Sequence, residues 1–329
     1  MKHLYIRKRL WFILALVLLF LIGCRTQSSV IVLKLGHALD VTHPVHLGIR
    51  FMAERLSEKS DGRMRIDIYP SEQLGSEREL IELLQIGSLA MTKVSTSPLE
   101  GFVPEMKIFS IPYVFRDEEH LWKVLKGDIG RRMLLSGQKY YLRGLCYYDA
   151  GSRSFYSKDV PIRTPEDLKG LKIRVQKSIT SVKMIQALGG SATPISWGEL
   201  YTSLQQGVVD GAENNPPSFY SSRHYEVCKY YSLDEHTSVP DILLVSTHVW
   251  KRLSPQQQVW LQEAADESID YQRELWKKSS EHALQEVEKA GVEIIHPDKT
   301  PFRRAVRTMF QSYEGTPVSE LLKEIDSIR

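Results

Sequence analysis

From residue 30 to residue 94 the chain alternates strand and helix patterns, and after Gly151 it begins the same alternation again. The run 30–35 is apolar and β-rich. Pro44 opens a helical pattern through Leu47, Phe51, Met52 and Leu56 that Asp61-Gly62 closes. Residues 64–69 alternate with period two, and Ser76-Glu77-Arg78-Glu79 has capping-box spacing before a helix that stops at Gly87. A further strand follows at 89–94. This order predicts a mostly parallel sheet with helices on both faces. In the second round, Thr164-Pro165-Glu166-Asp167 opens a short helix, 171–175 reads as a strand and 179–188 as a helix ended by Gly189-Gly190. Ser196-Trp197-Gly198-Glu199 repeats the capping-box spacing ahead of Leu200 and Leu204, and Val208-Val209 leads a strand toward Asn214. Two αβ units joined by crossing segments predict an α/β, bilobal protein with a cleft. Lobe I is expected over about 30–150 plus parts of the C-terminal region, and lobe II over about 151–245. After Pro255 the chain runs to 289 without proline or glycine. That is one or two long helices; a single one, at 1.5 Å per residue, would bridge both lobes.

The first residues carry a different signal. Lys2, Arg7, Lys8 and Arg9 precede an apolar run from Leu10 to Ile22, too short to span a bilayer comfortably, and then Gly23 and Cys24. A basic start and a short apolar stretch ending at a small residue describe a signal peptide over 1–23. Leu21-Ile22-Gly23-Cys24 resembles a bacterial lipobox, which would leave Cys24 acylated and residues 24–29 as a tether holding an extracytoplasmic domain, periplasmic or at the cell surface, to the membrane. The formal charge of +3 falls to −1 once the four basic residues of that segment are removed, so nothing in the remainder predicts a nucleic-acid partner. Roughly 305 residues remain, more than one ordinary core holds. The two other cysteines, Cys146 and Cys228, show no metal-type spacing and read as buried free thiols.

Catalytic signatures are missing. There is no Gly-rich phosphate loop, no HExxH and no G-x-S-x-G elbow, so no enzyme and no cofactor is expected. His37, His43 and His46 cluster near Asp40, but no further ligand falls at a recognised spacing, and His43 is accounted for at a helix start; no metal site is expected. Asp210 and Glu213 carry no specific acid/base signal. Arginines inside apolar strands say more. Arg153 stands at a strand start and Arg174 within Leu171-Lys172-Ile173-Arg174-Val175. A buried guanidinium must find a partner, either a structural carboxylate or the carboxylate of a ligand gripped by its planar fork. Spacing does not separate these two readings. In open α/β sheets ligands bind beyond the carboxyl ends of strands, where Arg174, Asn214 and Ser95 fall. Trp197 is either a stacking platform or core. Asn214 and Asn215 offer amides to hydroxyls, and Glu77 an acceptor at a helix start.

These segments resemble the solute-binding proteins of TRAP transporters, the dicarboxylate-binding DctP family. The similarity runs from about Leu33 to about Phe310. It is carried by Tyr69-Pro70-Ser71-Glu72-Gln73-Leu74-Gly75, by 164–175, by Glu199-Leu200-Tyr201 with the run 204–211, and by Glu213-Asn214. Tyr225-Glu226-Val227 with Lys229-Tyr230 continues it. The resemblance implies a Venus-flytrap fold with a long hinge-spanning helix, an organic-acid ligand whose carboxylate pairs with Arg174, and TRAP membrane permease subunits as partners. It places Arg153 and Asn214 in the cleft, Trp197 at a position usually held by phenylalanine, and His37 at a strand end facing the site. Glu77, Ser95 and His236 fall where other members meet the distal part of the ligand. Sialic-acid-binding members have a glutamate at the position of Ser95, which argues against that ligand. Trp197-Gly198-Glu199, Gly211-Ala212-Glu213-Asn214-Asn215 and Ser222-Arg223-His224-Tyr225 are similar to the hexuronate-binding branch, which implies glucuronate or galacturonate. The alternatives are a C4-dicarboxylate or another sugar acid, and a sensor module presenting such a ligand to a receptor.

Overall fold

Two chain segments leave one sheet and enter another side by side, and this double crossing organises the molecule. The computed structural model describes residues 30–329; the predicted signal segment 1–23, Cys24 and the tether 24–29 lie outside the described residues. The first sheet has the order β2 (Met64–Tyr69), β1 (Ile31–Gly36), β3 (Met91–Ser95), β10 (Asp241–Ser246), β4 (Leu142–Tyr148). The second runs β11 (Glu293–Ile295), β9 (Tyr230–Thr237), β5 (Arg153–Ser157), β8 (Gly211–Asn214), β6 (Lys172–Val175), β7 (Ser191–Pro194). Strand β4 passes into β5 through residues 149–152, and β9 returns into β10 through residues 238–240. The two crossings face each other, since Tyr148 pairs with Asp241 and Arg153 with Thr237.

Both sheets are mixed, where the alternating pattern predicted mostly parallel ones. Pairs β1–β3, β6–β7 and β6–β8 are parallel. Strand β10 runs antiparallel to β3 and β4, and β5 antiparallel to β8 and β9. The physical reason is the crossing itself: a strand arriving from the other lobe enters from the hinge side and so points against its neighbours. Residues 241–245, counted with lobe II in the sequence, belong to the first sheet for the same reason.

The alternation of side chains along each strand decides which faces are dry. In β5, Phe155 joins one buried cluster with Ile173, Val175, Met184 and Ile185, while Tyr156 joins another with Leu200, Leu204, Phe219 and Tyr231. The second sheet is thus covered on both faces. The first lobe buries Leu80, Leu84, Val94, Phe109, Tyr147 and Ile242 together. Helix α1 (Pro44–Lys59) and α2 (Glu77–Gln85) belong to the first lobe. Helices α3 (Ile179–Ala187), α4 (Leu200–Gln205) and α5 (Pro216–Ser221) belong to the second.

Residues 255–289 form one helix, α6 (Pro255–Lys289), of 35 residues. At 1.5 Å per residue it is about 52 Å long. Ser254 caps it: its N–H donates to Gln257 Oε1 at 2.8 Å, and Gln257 N–H donates to its Oγ at 3.3 Å. The helix packs on α1 of the first lobe and α5 of the second, and Val287 enters the second lobe's core. Midway, Gln272 clamps the crossing: Nε2 donates to Asp149 O at 2.9 Å and Oε1 accepts from Asp149 N–H at 2.8 Å. Among the described residues no helix is long and apolar enough to cross a membrane.

Candidate functional site

The carboxyl ends of β6 and β8 face the end of β3 and the start of β10 across the gap between the lobes. Arg174 follows from strand periodicity: Ile173 and Val175 point into the core against α3, so the residue between them points to the opposite face. There its Nε donates to Ile195 O at 2.9 Å, and its guanidinium lies 5.7 Å from the centre of the Trp197 ring. Arg174 is only 2 % exposed, yet Nη1 has no hydrogen-bond partner among the described residues. Desolvation lowers its pKa, a burden Tyr156 and Glu213 only partly relieve.

Arg153, from the start of β5, is the opposite case. Nε and Nη2 grip the Glu213 carboxylate, Nη2 donates to Glu213 O at 2.7 Å, and Nη1 donates to Asn214 Oδ1 at 2.7 Å. Burial works to raise the Glu213 pKa, but Arg153 and His236 reverse that and hold it at about 2. The two arginines, whose roles the sequence leaves open, differ in their partners. Arg153 is ion-paired with Glu213, and Arg174 has no carboxylate in salt-bridge contact among the described residues.

The facing wall comes from the first lobe. Lys93 and Ser95, two apart on β3, share a face, and Asp241 of β10 pairs across from Ser95. Lys93 Nζ lies 3.0 Å from Asp241 Oδ2 and 3.6 Å from Glu77 Oε1. Ser95 donates its hydroxyl to Asp241 Oδ1 and its N–H to Glu77 Oε1, both at 2.9 Å. Burial raises the pKa of Glu77, with Lys93 opposing.

Of the residues expected at the site, Arg174, Arg153, Trp197, Asn214, Asn215, Glu77 and Ser95 line one cavity. His37 and His236 do not. The His37 Nδ1 accepts from Leu39 N–H and its Nε2 meets His46 Nδ1 at 3.0 Å; burial, with Lys93 nearby, drives its pKa down to about 3, so the ring is neutral. His236 sits behind Arg153, 2.8 Å from Asp234 and stacked on Phe155. The cavity also takes in His43, Lys93, Gln176, Ser218 and Asp241, which the sequence reading passed over for this role. Lys93 carried the same signal as Arg174, a cation inside an apolar strand. Asp241 had none, because its place depends on the return crossing. No group of three or more His, Cys, Asp or Glu side chains suited to a metal occurs among the described residues, and Cys146 and Cys228 are free and buried.

Polar contacts across the gap tie first-lobe side chains to the starts of second-lobe helices. Thr180 N–H donates to Glu100 Oε1 at 2.9 Å at the start of α3, and Ser97 Oγ meets Ser181 Oγ at 3.2 Å. His43 Nε2 meets Ser218 Oγ at 3.2 Å in α5. Glu72 faces the N–H of Gly198, and a Cβ on Gly198 would collide with its Oε2. A carboxylate at a helix N-terminus is stabilising by about 0.3–1 kcal/mol at the surface.

The cavity measures only ≈ 30 Å³. That is room for two or three waters at about 10–15 Å³ each. A larger cavity, ≈ 450 Å³, lies behind the hinge among Tyr113, Ser152, Trp276 and Arg303. Three of its cations are already engaged, Arg116 on the Asp326 carbonyl, Lys299 on Glu235 and Arg303 over the Tyr113 ring, and a fourth, Lys277, also lines it.

Two αβ lobes, a double crossing and a buried cation between them define a solute-binding protein of the periplasmic type. The chain belongs to the DctP family, bacterial extracellular solute-binding protein family 7, which it matches over residues 35–316. A TRAP periplasmic solute-binding protein from Xanthobacter autotrophicus with bound β-D-galacturonate is 38 % identical, with a TM-score of 0.88 over 90 % of this chain and 100 % of that one. One from Pseudomonas putida with bound D-glucuronate is 36 % identical, TM-score 0.88, over 91 % and 98 %. An uncharacterised Salmonella typhimurium protein, YiiZ, is 38 % identical over 288 residues, 87 % of this chain and 88 % of the relative. The family's members are the binding components of TRAP transporters and not enzymes.

Proposed function

We propose that this chain captures a hexuronate, glucuronate or galacturonate, in the gap between its lobes and delivers it to the membrane subunits of a TRAP transporter. In this reading it is exported by residues 1–23 and held at the membrane by an acylated Cys24. The observation that carries the ligand reading is the Nη1 of Arg174, buried and without a partner among the described residues while Arg153 is already ion-paired with Glu213. A carboxylate supplies both the missing charge and the missing acceptor to a planar fork. Trp197 beside the guanidinium offers an apolar face to a sugar ring, and Asn214, Asn215, Glu77 and Ser95 offer partners to its hydroxyls. The uronates bound by the Xanthobacter and Pseudomonas proteins point to the same chemistry.

Because the cavity as it stands admits only water, uptake requires the lobes to part about residues 149–152 and 238–240. The ligand then favours closure by touching both walls. Titration calorimetry with D-glucuronate and D-galacturonate tests the reading. Binding is expected, and Arg174→Ala is expected to weaken it at least about 100-fold, consistent with truncating a buried charge pair. The circular dichroism spectrum should stay unchanged. An affinity that survives Arg174→Ala removes the arginine from the role.

A further inference from the structure

The wall facing Arg174 has a charge pattern of its own. One ammonium, Lys93, stands between two carboxylates, 3.0 Å from Asp241 and 3.6 Å from Glu77, and all three side chains are buried or nearly so. Ser95 places its hydroxyl on Asp241 and its N–H on Glu77. The group carries a formal net charge of −1, opposite a wall where Arg174 contributes +1. It is near enough to Arg174 for the Glu77 and Arg174 charges to act on each other.

We propose that Glu77, Lys93, Ser95 and Asp241 set the specificity of the cleft by accepting hydroxyl groups at the end of the ligand remote from its carboxylate and turning away a second carboxylate there. This rests on the hexuronate reading and deepens it. A carboxylate oxygen only accepts, so Glu77 and Asp241 ask the ligand for donors; a hydroxyl supplies one and also accepts from Lys93. A ligand carboxylate supplies none. It would sit beside two like charges with a single ammonium already claimed by Asp241, in a place where water cannot screen the repulsion. The two walls therefore read different things: Arg174 reads the acid, and the far wall reads the polyol. The ligand class is a monoanionic hydroxylated acid, not a dicarboxylate of similar length.

The test is calorimetric titration of wild type, Asp241→Asn and Glu77→Gln with D-galacturonate, galactarate (the acid with a carboxylate at both ends) and succinate. Wild type is expected to bind galacturonate at least 100-fold more tightly than either diacid. At least one of the two near-isosteric variants is expected to narrow that ratio tenfold or more. Shape discrimination would not respond, since the substitutions change charge and hardly any volume. Thermal unfolding of each variant shows which is folded; Glu77→Gln, outside the sheet, serves if Asp241→Asn is not. Wild type binding galactarate as tightly as galacturonate overturns the proposal, and so does a ratio unmoved in both folded variants. Failure of wild type to bind galacturonate while binding succinate sinks the hexuronate reading itself, and this proposal with it.

Discussion

At the scale of single residues, two arginines 21 positions apart show how the same side chain takes opposite parts. Arg153 is 4 % exposed and Arg174 2 %, so burial does not distinguish them; their partners do. Removing Arg153 leaves Glu213 as a buried anion without its hydrogen-bonded partner, and breaking one side of a buried pair costs about 3–5 kcal/mol. Arg174 has no such pair to break. In ligand-free protein Arg153→Met is therefore expected to lower unfolding stability by that amount, and Arg174→Met to leave it unchanged or raise it by about 1 kcal/mol. Urea unfolding of the two variants decides; equal losses would mean that Arg174 is structural after all. The sequence supplied both arginines, each conspicuous in an apolar strand, together with the asparagines and Trp197. It could not supply the assignment, because Glu213 reaches Arg153 only through the antiparallel pairing of β5 with β8.

Elements were legible where the signal is local. The capping box at Ser76 is present, with Ser76 N–H donating to Glu79 Oε2 at 2.7 Å, and β2 occupies the alternating run at 64–69. Strand direction was not legible: nothing local in Asp241–Ser246 tells that it arrives from the other lobe. The first-lobe contacts on helix starts were equally hidden, since Glu72 and Gly198 meet only when two lobes face each other. Gly198 lies at the start of α4's leading turn, where alanine suits the backbone better by roughly 0.5–1 kcal/mol. Gly198→Ala should accordingly leave thermal stability unchanged or higher, yet weaken uronate binding about tenfold by pressing on Glu72 in the closed form. Unaltered affinity would show that this contact does not contribute to closure.

Across the whole molecule, the second lobe is built around a buried row of charges: Asp234, His236, Glu213 and Arg153. Burial alone would lower the His236 pKa, but Asp234 and Glu213 raise it to about 9. A histidine whose folded pKa exceeds its unfolded value of about 6.5 contributes stability that is complete below that value. The contribution is lost as pH rises through about 9, on the order of 3 kcal/mol for a shift of this size. Melting temperature should fall between about pH 7 and pH 9.5, and His236→Gln should flatten that slope; a wild-type profile level over this range would contradict the protonated ring. The second lobe's other buried cation in the gap, Arg174, has a consequence for traffic. On the proposed reading, shutting the two halves without an acid inside would strip water from a cation and leave its Nη1 unpaired, so a vacant carrier is expected to rest agape and a laden one clenched. Any membrane partner that touches both halves can sense from their outline alone whether a passenger is aboard, without ever reaching the sugar.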